Sequence, residues 1–446
     1  MSTADAATPI QTAEGSSRWT AAHTWLMIAA VLGMLIESYI YSVGSVATGW
    51  VAMPKVLTSL LLAWSPIWLI IGIAVAGPVS DRIGRKRTFY FTMSMYLVGV
   101  VIILLGNTYW EILLALAILL SASGGEMNTI MAQVAEALPT RFRTSGYYTV
   151  INGINLGTVI LGAVALMNIF GNKGLQKTTV AITLLVAVLA LILARTRYPE
   201  SLLWLHRAGK TARGNAEAQR YLGTSLQAAL PVASQLEPDR GRNAAQTSLA
   251  LKLGVVIAVA WTNTTGYGLL TLVVGPYYYP KDTGLIILFS GLGSVVGGIV
   301  LAGIGDRIGR RSALLWTDLL TLAVTVVVVV SIGAWSHNLA LFWVLIFGIN
   351  FFAGMNYLVE DMLKVELWPT LRRGTLTSVA RFVSIGLYIP VIFLTAHVGI
   401  TTYMIFNTCV WVVGTAAALA WYFWGHETGK GRSADAASGE VTAVSS

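Results

Sequence analysis

The chain has 446 residues, 56% of them hydrophobic and only 11% charged, with a mean hydropathy of +0.71. A soluble domain carries about 25% charged residues, so lipid rather than water is the solvent this composition fits. The net charge of +9 does not point to nucleic acid, because the basic residues sit in alternate loops, and the single cysteine, Cys409, excludes an internal disulfide framework or a multi-cysteine metal site.

Residues 1–23 are polar and lack the short apolar core of a cleaved leader, so they read as a cytoplasmic tail. Long apolar runs follow at 24–46, 57–79, 88–107, 109–137, 144–168 and 176–196. A polar connection over 197–249 separates them from runs at 250–274, 283–304, 312–333, 339–366, 374–396 and 400–424, and a short tail occupies 426–446. Each run is long enough for a membrane helix and too continuous for a barrel strand. The predicted fold is therefore an all-α membrane protein of twelve transmembrane helices (spans 1 to 12), with six-helix bundles over 24–196 and 250–425. One set of loops holds Arg82, Arg85, Lys86, Arg87, Arg141, Arg143, Arg307, Arg310, Arg311, Arg372 and Arg373; the opposite set holds only Lys55, Lys173, Lys177 and Lys281. That asymmetry predicts both termini on the cytoplasmic side.

Two motifs recur at nearly half the chain length. Gly77-Pro-Val-Ser-Asp81-Arg82-Ile-Gly84-Arg85-Lys86 returns as Gly305-Asp306-Arg307-Ile-Gly309-Arg310-Arg311, offset by 225 from Asp81 to Asp306. Glu136-Ala-Leu-Pro139-Thr140-Arg141-Phe-Arg143 returns as Glu366-Leu-Trp-Pro369-Thr370-Leu-Arg372-Arg373, offset by 230. Two pairs at near-equal spacing indicate a duplicated bundle. These motifs, with Pro199-Glu200-Ser201 after span 6, resemble the major facilitator superfamily and, within it, the sugar-porter and metabolite:proton symporter branch. The resemblance covers roughly 24–425. It implies two pseudo-symmetric bundles that rock about a midplane site, as repeat-built transporters do.

In the first motif, Gly77 and Gly84 permit close approach and a tight turn. Asp81 can pair with Arg85 and accept hydrogen bonds from the N-terminus of the next helix. Contacts of that kind can form in one rocking state and break in the other. The reading is a conformational latch of Gly77, Asp81, Arg82, Gly84 and Arg85, repeated in Asp306, Arg307, Gly309 and Arg310; the alternative is that the arginines only set topology.

Intramembrane charges are functional candidates by default. Glu37 and Glu126 each lie about 20 Å from the cytoplasmic face by helical rise, on helices that line the cavity in this family. They are the candidate proton-coupling acids, the alternative being that Ser38, Tyr39 or Ser123 holds them structurally. Members of the branch often carry an arginine ten residues before the equivalent of Glu126; here that position is Leu116. Later in the chain, Glu360 and Asp361 lie at a depth comparable to Arg381, so Arg381 either pairs with one of them or meets an anionic substrate. Asn356 is the repeat counterpart of Glu126. Asp318 and Lys364 read as interfacial structure.

The polar cargo contacts expected in the interior are Asn128, Asn152, Asn155, Asn263, Tyr267, Asn356 and Tyr357. Trp64, Trp68, Trp261 and Trp411 could stack on a ring, but the anchor or packing reading is preferred for each. No metal site, cofactor or catalytic constellation is expected. The expectation is a secondary transporter in a cytoplasmic (inner) membrane, a functional monomer. It takes up a small polar metabolite, an organic acid or a sugar, with protons. An exporter or a receptor on the same fold remains open.

Overall fold

The computed structural model describes residues 19–47, 50–51, 55–166, 173–230, 247–279, 282–305, 307–395 and 398–429. Twelve helices among them are long and apolar enough to cross a membrane. Spans 1 to 6 are Ala21–Ala47, Lys55–Ile83, Arg85–Leu105, Tyr109–Ala137, Arg143–Leu166 and Lys173–Arg195. Spans 7 to 12 are Leu249–Gly266, Thr283–Ile304, Arg310–Val330, Leu339–Glu366, Arg373–Thr395 and Ile400–Trp424. Span 2 runs four residues past the apolar run, to Ile83, and only Gly84, at φ 103, turns the chain before span 3. An L side chain is strained at that φ, which is why glycine stands there.

Local chemistry explains where several helices start and stop. Thr108 and Glu111 form a reciprocal capping box at the start of span 4, satisfying two orphan amides. Pro139 and Pro369 follow the ends of spans 4 and 10, where proline cannot continue a helix. Span 7 does not stop cleanly. After Gly268, at φ 92, the chain winds as a π-helix over Leu269–Val274 and then one α-turn over Gly275–Tyr278. In the polar connection, helices Leu202–Arg207, Thr211–Leu222 and Leu226–Ala229 follow the C-terminal end of span 6.

The apolar sorting is that of a bundle dissolved in lipid. Span 4 is buried along nearly its whole length, whereas Phe91, Leu105, Val186, Val330 and Leu394 face outward without covering. Spans 5 and 8 pack tightly across the two bundles: a Cβ on Gly291 would lie 2.7 Å from Val159, and one on Gly284 would lie 2.6 Å from Leu166. Spans 2 and 11 meet through Leu69, Ile70, Ile73 and Ile385.

Candidate functional site: buried acids above a charged gate

The ends of the bundles that carry the arginine-rich loops are closed by a charge cluster with internal twofold logic. Glu136, at the end of span 4, accepts from Arg85 Nη2 of its own bundle at 2.9 Å and from Arg373 Nη1 of the other at 2.9 Å, and Ser201 Oγ donates to it as well. Glu366, at the end of span 10, repeats the set. It is ion-paired with Arg310 at 3.3 Å, takes Arg143 Nη2 from the opposite bundle at 3.1 Å and accepts from Thr428 Oγ1 at 2.7 Å. Each carboxylate thus joins one arginine from each bundle. All four arginines are buried, so these are desolvated pairs whose loss on one side leaves a stranded charge.

The latch residues take unequal parts. Asp81 Oδ1 pairs with Arg85 at 2.8 Å. It does not cap the next helix in sequence; it caps span 11, accepting from Gly374 N at 3.3 Å, Thr375 N at 2.8 Å and Thr375 Oγ1 at 2.8 Å. The N-terminus of span 3 is capped by Glu200, which accepts from Arg85 N at 3.0 Å and Lys86 N at 3.1 Å. Packing decides this exchange of partners, because span 2 lies flush on span 11 and carries Asp81 across the bundle boundary. Gly77 makes that possible: a Cβ there would stand 2.0 Å from Ser378 Oγ. Arg82 and Arg307 are exposed. In the second copy, Gly309 and the buried Arg310 start span 9, and Glu427 caps it, accepting from Arg310 N at 2.7 Å. Asp306 lies outside the described residues.

Above the gate lie the membrane-embedded acids. Glu37 is 7% exposed, and its Oε2 has no hydrogen-bond partner among the described residues. Arg381, Asp361, Glu126 and Lys364 are the charges within electrostatic reach of it, so it stands at the meeting of the two bundles. Glu126 is ion-paired with Arg195, from the end of span 6, and accepts from Thr92 Oγ1 at 3.3 Å. The arginine missing at Leu116 is therefore supplied from another helix. Glu126 Oε1 lies close to Gly33, one helical turn before Glu37 in span 1. Ser38 and Tyr39 hold neither acid: Ser38 Oγ donates to Ile154 O, and Tyr39 OH donates to Val180 O at 3.3 Å.

In the second bundle, Arg381 is ion-paired with Asp361 and touches Met127 of span 4. Lys364 bridges Glu360 at 2.9 Å and Asp361 at 3.1 Å. Lys364 and Asp318 are both buried. Tyr357 shares this space, within reach of Asp361, Arg381 and Glu37. Above Glu37, Tyr41 is 37% exposed and lies within electrostatic reach of Tyr388 and Tyr267.

The amides divide. Asn263 Nδ2 donates to Asn356 Oδ1 at 2.7 Å, and Asn356 donates on to Thr317 Oγ1 at 3.2 Å, a chain inside the second bundle. Asn128 donates to Ser378 at 2.8 Å and belongs to the gate. Asn152 donates to Val295 O at 3.0 Å and accepts from Asn155, placing both at the seam of spans 5 and 8 rather than around the central acids. Trp64 donates to Leu113 O at 3.1 Å and Trp411 packs against Gly266, so both are tied into helix packing.

Sequence reading passed over three things. Arg195 looks like any arginine that ends a span. The reciprocal crossing of Arg143 and Arg373 needs the two bundles docked. The pair Glu427-Thr428 was legible, since it repeats Glu200-Ser201 at an offset of 227, close to the other repeats.

A model of the Major Facilitator Superfamily matches residues 19–387. The chain belongs to that superfamily. It is a multi-pass membrane transporter and not an enzyme. A Haemophilus influenzae protein named for metabolite transport is 25% identical over 271 residues, covering 57% of this chain and 60% of that protein. The "Probable metabolite transport protein CsbC" of Bacillus subtilis is 25% identical over 339 residues, covering 69% and 70%. The first alignment thus spans less than two thirds of its relative's length. Among solved structures, the proton:xylose symporter XylE bound to 6-bromo-6-deoxy-D-glucose superposes with a TM-score of 0.73 at 19% identity, over 93% of this chain and 98% of that one. A partially occluded inward-open form of XylE from E. coli gives 0.68 at 17% identity, over 92% and 99%. At such identities the likeness is one of fold.

Proposed function

We propose that the protein is a proton-coupled uptake carrier for a small polar metabolite. It works as a monomer in the cytoplasmic membrane with both termini on the cytoplasmic side. The observation that carries the reading is Glu37, a buried acid at the bundle junction with an unpartnered oxygen. Nearby Glu126, by contrast, has Arg195 to neutralise it. An acid without a counter-ion in a low-dielectric site takes up a proton, and rocking of the bundles changes its access to water. Glu126 with Arg195 then senses that change through the charge it shares with Glu37.

The cargo reading favours a neutral, sugar-like molecule over an organic acid. Arg381, Arg195 and Lys364 are each committed to carboxylates, which leaves none of the three free to meet an anion. Tyr41, Tyr267, Tyr357 and Tyr388 offer rings and hydroxyls around the same space, which suits a polar ring. The kinship with metabolite transporters and the fold shared with a xylose:proton symporter support the class.

Counterflow in proteoliposomes against a panel of sugars and organic acids, at two pH values, tests the reading. Glu37→Gln is expected to keep exchange and lose accumulation driven by a proton gradient. Accumulation equal to wild type in that variant overturns the assignment.

A further inference from the structure

The acids above the gate outnumber the bases. Among the described residues, Glu37, Glu126, Asp318, Glu360 and Asp361 are buried there with only Arg195, Lys364 and Arg381. The three bases are taken by Glu126, Glu360 and Asp361. Two acids are left without a cation. One is Glu37, already used above. The other is Asp318 in span 9, which is 0% exposed, has the neutral Asn356 amide beside it and meets no cation among the described residues.

The duplicated architecture shows how this arises. Thr92 of span 3 and Thr317 of span 9 correspond at the offset of 225. Thr92 donates to Glu126, and Thr317 accepts from Asn356, which stands where Glu126 stands in the first half. The second bundle has thus moved its acid from span 10 to the residue beside Thr317. It has not supplied a base: Arg195 ends span 6, whereas span 12 ends in Trp421-Tyr-Phe-Trp424. The titratable neighbour that faces Asp318 is Glu360 of span 10, itself bound to Lys364, with Asp361 and Arg381 behind it. Span 12 packs on the other flank of span 9 and has no acid, lysine, arginine or histidine between Ile400 and Trp424. An ionised Asp318 would face a second carboxylate with no compensating cation, which a buried site does not sustain.

We infer that Asp318 is a second proton-binding site, lodged in the C-terminal bundle between spans 9 and 10 and separate from Glu37. The inference extends the proton-coupled reading, giving each bundle one acid that holds a proton while the charged gate is closed. The proton adds to Asp318 Oδ as a carboxylic acid, with no other bond made or broken. It leaves to water when rocking opens the span 9–10 layer.

Infrared difference spectroscopy on the purified protein in lipid vesicles, titrated with pH, reads protonated carboxyls by their C=O stretch and needs no substrate. In wild type labelled with carbon-13 aspartate, one protonated-carboxyl band is expected to shift to lower frequency. That band is expected to vanish in Asp318→Asn, to survive Glu37→Gln, and to be the same in sodium chloride and choline chloride. No label-sensitive band, or one that persists in Asp318→Asn, overturns the inference; so does its loss in sodium chloride, which would mark a metal-cation site instead. Should Asp318→Asn not fold, Asp318→Glu under the same label is expected to keep a protonated-carboxyl band and lose its label shift; a shift that persists in Asp318→Glu overturns the inference. A label-insensitive band that disappears in Glu37→Gln reports on the first acid alone, so either assignment can fail while the other stands.

Discussion

Arg195 shows how far one side chain can reorganise the reading of a site. Its guanidinium stacks 3.5 Å over the Phe89 ring while pairing with Glu126, so the ion pair is held in a dry pocket between spans 3, 4 and 6. Removing one partner of such a pair costs about 3–5 kcal/mol because the other charge is left buried. Arg195→Met is therefore expected to lower the thermal unfolding midpoint sharply, and Arg195→Met with Glu126→Gln to recover most of the loss. A double variant as unstable as the single would show that Arg195 matters through packing alone. Glu200 supplies a second residue-scale test. It lies outside the spans, and burial pushes its carboxyl above the ordinary range despite the amide and arginine contacts that oppose the shift. The folded state then binds the proton more tightly than the unfolded one, so this group's contribution to stability falls as pH rises from the ordinary carboxylate value through the raised one. Unfolding midpoints measured across mildly acidic pH are expected to decline less steeply in Glu200→Gln than in wild type.

At the scale of elements, the contact that matters most is span 2 against span 11. The two helices close because Gly77 presents no Cβ to Ser378 and Gly374, and because Asp81 then reaches the amides that begin span 11. A helix N-terminus is a ready site for a carboxylate, and here the acid comes from the opposite bundle. Gly77→Ala is expected to wedge this seam and favour the form in which the gate is open. With Cys409→Ser as background and Met127→Cys as a reporter buried between the bundles, thiol labelling from the gate side is expected to speed up by about tenfold, or about 1.4 kcal/mol of population shift. Unchanged labelling would mean that the seam yields without opening the gate. The same helices show what local pattern can reveal. The apolar runs, the prolines behind spans 4 and 10 and the turn at Gly84 were all visible in order, because each depends on neighbours a few residues away. The π-helical end of span 7 was not, since it follows from how Leu269 to Val274 pack in the second bundle.

For the whole molecule, the gate is a reciprocal device: Arg373 crosses to Glu136 and Arg143 crosses to Glu366, while Arg85 and Arg310 hold each glutamate from its own side. Arg143→Ala and Arg373→Ala are each expected to raise Met127→Cys labelling by about tenfold, within the 1–3 kcal/mol typical of coupling between sites. Together they should do more than either alone, since neither crossing pair shares a carboxylate with the other. A double variant no faster than the singles would show that one crossing holds the gate by itself.

The amino-acid sequence alone determined that the chain lies in lipid, crosses it twelve times and is built from a repeated half. Hydropathy over about twenty residues and the spacing of two motifs are enough for that. It also exposed the membrane acids, because a charge within an apolar run is conspicuous wherever it points. Only the tertiary structure decided which of those acids are neutralised. Whether Glu126 meets Arg195, Arg381 meets Asp361, or Asp318 and Glu37 meet no base depends on helix rotation and docking, and an ion pair is settled by a few ångströms that no spacing along the chain encodes.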